Sequence, residues 1–203
     1  MEKINYKKQL QHLYKPSAKN VEVVEVPQMN FLMVDGEGDP NHSKAFSDAV
    51  EALFPIAYML KFMVKKGETA VDYSVLPLEA LWWADDMSAF RTGNKDAWKW
   101  TLMIMQPEFI SAAMVEKALE NVKKKKRPVA LPLVRFEPFN EGKAAQIIHI
   151  GPFSEEGPTI EKVHNFIEKS GRRRVGKHHE IYLSDIRRAA PEKWKTIVRQ
   201  PLA

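Results

Sequence analysis

The chain contains no cysteine. Disulfides, thiolate nucleophiles and cysteine-ligated zinc are therefore excluded at the outset. No apolar run reaches the roughly 18 residues that a membrane span needs, so no membrane association is expected. The opening residues, M-E-K-I-N-Y-K-K-Q-L, lack the apolar stretch of a secretory signal, which makes the cytoplasm the expected compartment. Missing too are G-x-S-x-G, a P-loop and a G-x-G-x-x-G following a strand; Gly36 and Gly38 supply only G-x-G. Charge of one sign is not concentrated either. The net charge of +5 sits in short clusters, at residues 123–127, at Arg172, Arg173 and Arg174, and at Arg187 and Arg188. Such clusters do not demand a nucleic-acid partner.

What is present suffices for a packed protein. The 203 residues are 44% hydrophobic, enough for a real core, and no part is depleted enough to be wholly disordered. Residues 1–20 are polar, with Pro16, Ser17 and Asn20, and read as a flexible N-terminal arm. Residues 21–26 and 30–34 read as strand, and Asp35-Gly36-Glu37-Gly38-Asp39-Pro40 as a turn cluster. Apolar residues from Phe46 through Val64 recur at helical spacing, with Asn41 or Ser43 as cap, Pro55 as a kink and Gly67 as the end. Residues 71–76, 78–83 and 98–105 are extended, with a polar loop or hairpin connection over 85–96. A helix over 108–126 ends in a run of lysines that suits the helix dipole. The pattern then recurs: extended segments at 134–139 and 144–150, a helix over 159–169, and a strand from 178. Residues 192–198 read as a short helical turn. The order predicts an α+β fold of two similar halves, module one over about 21–107 and module two over about 128–203, with a linking helix over about 108–127. If the halves pair by their sheets, the surface between them becomes a ligand cleft.

Residues 178–185, H-H-E-I-Y-L-S-D, carry the most informative chemistry. Strand alternation puts Glu180, Tyr182 and Ser184 on one face and His179, Ile181 and Leu183 on the other. The second set reads as core-facing, with His179 at its entrance. A carboxylate on a mostly apolar surface loses solvation, so the Glu180 pKa should rise unless a partner compensates. Such a group can accept a proton or pair with a ligand cation. Four histidines, His149, His164, His178 and His179, do not make a metal site by pattern: adjacent histidines on a strand point apart, and no acidic cluster accompanies them. D-G-E-G-D at residues 35–39 lacks the ligand spacing of a calcium loop. No cofactor is indicated.

Several motifs together resemble the GyrI-like small-molecule-binding family. They are V-E-V-P-Q-M-N-F-L-M-V-D-G-E-G-D-P (23–40), P-L-E-A-L-W-W (77–83), H-I-G-P-F (149–153), H-N-F-I (164–167), G-K-H-H-E-I-Y-L-S-D-I-R-R (176–188) and P-E-K-W-K-T-I-V-R-Q-P (191–201). They cover nearly all of the chain after residue 20 and most resemble the stand-alone branch, which lacks a DNA-binding helix-turn-helix. Residues 1–20 are too few to hold one, so direct DNA binding is not expected. The resemblance implies two strand-helix-strand-strand modules related by pseudo-twofold symmetry, with a ligand groove between them. That groove would be lined by aromatics, with an acidic residue, for flat hydrophobic and often cationic molecules. Part of this branch is similar to cyclopropanoid cyclopropyl hydrolases, which open a strained ring of DNA-alkylating compounds by adding water, and the Glu of E-I-Y maps onto Glu180. Arg172, Arg173 and Arg174, and Ala80 where glycine is common, depart from the family pattern.

On that basis Glu180 is the candidate base or water orienter and Tyr73 the second polar group. Trp82, Trp83, Trp98, Trp100 and Tyr182 are the candidate walls for an aromatic guest. Adjacent Trp82 and Trp83 point to opposite faces, so at least one belongs to the core. The partner expected is a hydrophobic aromatic small molecule, either hydrolysed or simply held by a sequestering or sensing protein.

Overall fold

The computed structural model describes residues 2–86 and 88–203. Its strands are β1 (Glu2–Ile4), β2 (Glu22–Val26), β3 (Met29–Glu37), β4 (Val71–Tyr73), β5 (Glu79–Trp83), β6 (Lys99–Gln106), β7 (Arg135–Phe139), β8 (Gly142–Ile150), β9 (His178–Tyr182) and β10 (Lys195–Pro201). Its α-helices are α1 (Tyr6–Gln9), α2 (Gln11–Tyr14), α3 (Lys44–Lys66), α4 (Ser88–Thr92), α5 (Ala112–Lys125) and α6 (Gly157–Lys169). The fold is α+β, as the order of elements predicts. Met87, inside the loop expected over residues 85–96, lies outside the described residues. Among the described residues no helix is long and apolar enough to cross a membrane. The chain forms two compact units, and they interleave along the sequence instead of splitting at a linking helix.

The first unit comprises the described residues up to Tyr6, Met29–Leu76 and Trp82–Phe139. Its antiparallel sheet has β3 in the middle, paired with β6 on one side and β7 on the other; Phe31 opposes both Met105 and Glu137. Phe31, Leu32, Met33 and Val34 are all buried, so this strand is covered on both faces. Helix α3 packs on β3 and β6. Ala49, Leu53, Ile56, Leu60 and Val64, spaced three or four apart, are its buried stripe. The Ser43 hydroxyl caps it by accepting from the Phe46 N–H. Helix α5, expected to link two modules, packs on α3 within this unit. Strand β3 also runs further than expected: Asp35, Gly36 and Glu37 continue it instead of turning. Gly36 permits this because the Trp100 ring lies directly over it; a Cβ there would come within 2.1 Å of the indole.

The second unit comprises Lys7–Gln28, Pro77–Leu81 and Asn140–Ala203. Its strands run in the order β2-β8-β10-β9, all antiparallel. Helix α6 packs on β8 and β10. Val163 and Ile167 on the helix meet Ala145, Ile147, Val198 and Leu202 from the strands, with Ile160 and Phe166 packed alongside. Gly171, at φ +73, follows the helix in the left-handed conformation that commonly ends one. Residues 192–198 do not form the helical turn expected of them. Only Pro191–Lys193 make a short 3-10 turn, after which Lys195–Pro201 is a strand between β8 and β9. The β-branched Thr196, Ile197 and Val198 suit a strand paired on both sides. The segment before residue 21, expected to be a flexible arm, carries α1 and α2 and buries Leu13 and Tyr14.

Candidate functional site

Alternation along β9 places His178, Glu180 and Tyr182 on one face, and the three form a connected group. Glu180 keeps only 13% of its side chain exposed. One carboxylate oxygen accepts from His178 Nε2 at 3.0 Å and the other from the Tyr182 hydroxyl at 2.8 Å. Burial alone would raise the Glu180 pKa. Hydrogen bonds from His178 and Tyr182, the His178 charge interaction and a contact with Glu156 outweigh it, so the carboxyl is held below its ordinary value. The compensating partners that decide between a raised and a lowered carboxyl sit two residues away on either side. The Tyr182 ring meets Phe153 edge-on at 5.6 Å, and Phe153 lies 5.0 Å from the Trp194 ring. An anionic, poorly hydrated carboxylate beside aromatic rings is the result.

Glu156 belongs to the same group. It stands immediately before α6, is 4% exposed, and has its Oε1 buried without a hydrogen-bond partner. Burial, then the negative charge of Glu180, push its carboxyl up to about 9. Thr196, opposite Tyr182 in the β10–β9 register, lies close enough to lower it slightly, although no well-aligned hydrogen bond joins them and Thr196 Oγ1 is itself unpartnered. His178 Nδ1 is the third buried polar atom here without a partner. Sequence reasoning passed over Glu156, because an acidic residue ahead of a helix reads as an ordinary complement to the helix dipole.

The opposite face of β9 has another character. His179, expected at the entrance to a core-facing set, is 1% exposed and bonds two carboxylates at 2.9 Å each: Nε2 to Glu79 and Nδ1 to Glu141. Arg199 Nη1 donates to Glu141 at 3.1 Å, its Nε to Gln146 and its Nη2 to the Leu13 carbonyl. The Tyr14 hydroxyl closes the chain by donating to Glu79 at 2.7 Å. Despite burial, His179 is pushed up to about 9 by its carboxylates, and Glu141 is lowered to about 2 by His179 and Arg199.

The remaining candidates belong to the first unit. Tyr73 is 3% exposed, meets Tyr6 and Phe109 edge-on, and has a buried hydroxyl without a hydrogen-bond partner. Burial pushes its phenol above the ordinary value. Trp82 is buried and Trp83 half-buried, as two adjacent strand residues on opposite faces should be. Trp82 stacks on Phe46 and meets Trp98 edge-on, and Trp98 stacks on Phe90 at 4.8 Å. Trp100 is a core residue, fully buried over Gly36 and in T-shaped contact with Phe46. Burial this complete leaves it no open face for a guest. His149 and His164 are occupied, the first through Nδ1 with Thr159 and the second with Arg174. Among the described residues no three histidine or acidic side chains gather as metal ligands.

Residues 19–203 match the model of the GyrI-like small molecule binding domain. A crystal structure of an uncharacterized conserved protein from Listeria innocua is 44% identical over 98% of this chain and all of its own, with a TM-score of 0.90. Two structures described as hydrolases from Listeria innocua align similarly. One is 43% identical over the full length of both chains at a TM-score of 0.88; the other is 42% identical over 98% of this chain and all of its own at 0.86. No curated protein matches the chain.

Proposed function

The chain belongs to the GyrI-like small-molecule-binding family, and from that premise we propose that it captures a flat, hydrophobic aromatic compound and hydrolyses a strained cyclopropane within it, of the kind DNA-alkylating agents carry. The hydrolase part of this reading draws support from the Listeria innocua relatives described as hydrolases. The observation that carries it is the Glu180 carboxylate, ionised and largely buried beside the Tyr182 and Phe153 rings.

Opening a cyclopropane conjugated to a dienone asks little of the protein. A water oxygen attacks the ring carbon, one C–C bond breaks, and its electrons reach the carbonyl oxygen, which takes up the proton that water loses and becomes a phenol. Glu180 aligns the water by accepting its hydrogen bond. Tyr182 and Phe153, beside that carboxylate, supply aromatic surface for the guest. Incubation with a duocarmycin-type compound, followed by mass, should give catalytic ring-opened product carrying one added water. Glu180→Gln should slow turnover by about 10²–10⁴-fold, the range for a lost acid–base group, with binding retained.

One observation favours a second reading. His178 and Tyr182 hold Glu180 below its ordinary pKa, which weakens it as a base and suits it to face a cation. A sequestering or sensing protein would then bind cationic aromatics stoichiometrically and return no product.

A further inference from the structure

Two buried carboxyls meet in the second unit, and the proposed chemistry uses only one. Glu180 has both oxygens occupied, by His178 and Tyr182. Glu156 is 4% exposed and its Oε1 has no partner. Among the described residues, the side chains bonded to the pair or acting on it are His178 and Tyr182 on β9 and Thr196 on β10. Of these only His178 can carry a positive charge. Beyond it, His164 on α6 is pushed down to about 4 by burial, Arg174 and His178, so it adds no charge at neutral pH. One cation-capable group for two buried, adjacent carboxyls cannot balance two negative charges; one carboxyl keeps its proton.

We propose that Glu156 is a second acidic group of this site, which holds a proton beside the ionised Glu180 until a cationic guest enters and then releases it to solvent. The ionised pair would face the added positive charge, so affinity for cations rises with pH while affinity for neutral guests of the same shape does not. Glu156 thereby sets which charge class the site accepts. The inference rests on the reading that Glu180 faces a flat aromatic guest, but the protonation of Glu156 can be measured without any guest.

In the full chain at pH about 7, where a free carboxyl is ionised, infrared spectra should contain the carbonyl stretch of a protonated carboxylic acid. Glu156→Gln should abolish it. Glu180→Gln, by removing the neighbouring charge, should make it titrate away at lower pH. Calorimetry in two buffers of different ionisation heat then tests the release, using 9-aminoacridine as cation and acridine as neutral isostere. Wild type should release about one proton per 9-aminoacridine bound and strengthen about tenfold per pH unit up to the titration of the pair. Acridine should release none, and neither dye should release any from Glu156→Gln. A protonated-carboxyl band that is absent near neutrality, or that survives in Glu156→Gln, overturns the assignment of the proton. Binding of the cation without proton release overturns the coupling. If neither dye binds, the aromatic-guest reading fails and the release step fails with it, while the infrared bands still decide where the proton sits.

Discussion

On one face of β9, His179 bridges Glu79 and Glu141, Arg199 adds a second positive charge, and Tyr14 and Gln146 complete the set. On the other face of the same strand, Glu180 and Glu156 share a single histidine, and Glu156, Thr196 and His178 each leave a buried polar atom without a partner. Both clusters are buried in the second unit, yet only one is balanced. Two carboxyls against an arginine and a histidine, each side-chain nitrogen and oxygen bonded, is an arrangement that holds a fold. Two carboxyls against one histidine, with donors and acceptors left over, is costly to the fold. Residual polar capacity of that kind is what a site retains for something other than itself.

The largest expected effect comes from unbalancing the balanced face. Arg199→Met leaves Glu141 buried with His179 alone, and removing one partner of a buried ion pair costs about 3–5 kcal/mol. Glu180→Gln, on the other face, removes a buried charge and should change stability by no more than about 1 kcal/mol. Urea unfolding of both variants against wild type measures the difference. A larger loss from Glu180→Gln than from Arg199→Met would reverse the roles assigned to the two faces.

Next in size is the pH dependence of stability, to which each face contributes over its own range. His179 rises from 6.5 to about 9 on folding, so the folded state binds the proton more tightly. Its contribution is complete below pH 6.5 and disappears as pH climbs through 9. Glu156 rises from 4.5 to about 9, and its contribution likewise fades between those values. Glu141, lowered from 4.5 to about 2, acts in the other direction: its stabilisation is lost as pH falls through 2. His164, pushed down to about 4, gains stability as pH rises to 6.5 and offsets the Glu156 loss there. Stability should therefore hold level between 4.5 and 6.5 and decline above it, where Glu156 and His179 both lose theirs. Glu156→Gln should turn the level stretch between 4.5 and 6.5 into a rise, and His179→Gln should lessen the decline above 6.5. Unfolding midpoints measured across this range would separate the two, and an unchanged profile in Glu156→Gln would place its proton elsewhere.

Much of one face was legible in the residues. Period-two alternation alone puts Glu180 and Tyr182 together, and the stripe from Phe46 to Val64 announces α3. The balanced face was not legible, because its members come from six separate segments: α2, β5, the turn at Glu141, β8, β9 and β10. Nothing local in the sequence ties Glu79 to His179. Strand β10 was misread because Lys195 and Arg199 interrupt its apolar residues, and the buried Arg199 looks like a surface charge until Glu141 is seen beside it. Glu156 was missed for the reverse reason: its setting before a helix is so ordinary that only burial against Glu180 distinguishes it.

The smallest effect sharpens the comparison most. Tyr182→Phe deletes the 2.8 Å hydrogen bond to Glu180 and leaves the ring packed on Phe153. A hydrogen bond to a charged group is worth about 1.5–3 kcal/mol, but part is regained because the partly exposed carboxylate can turn to water. A net loss of about 1 kcal/mol or less is expected. The Glu180 pKa should rise, since one of the donors that lowers it is gone, and the gap to Glu156 should narrow. The infrared titration of the pair would then begin at lower pH than in wild type, because a proton once confined to Glu156 is now shared more evenly. A titration that does not move would mean that Tyr182 only packs, and that His178 alone keeps the charge on Glu180.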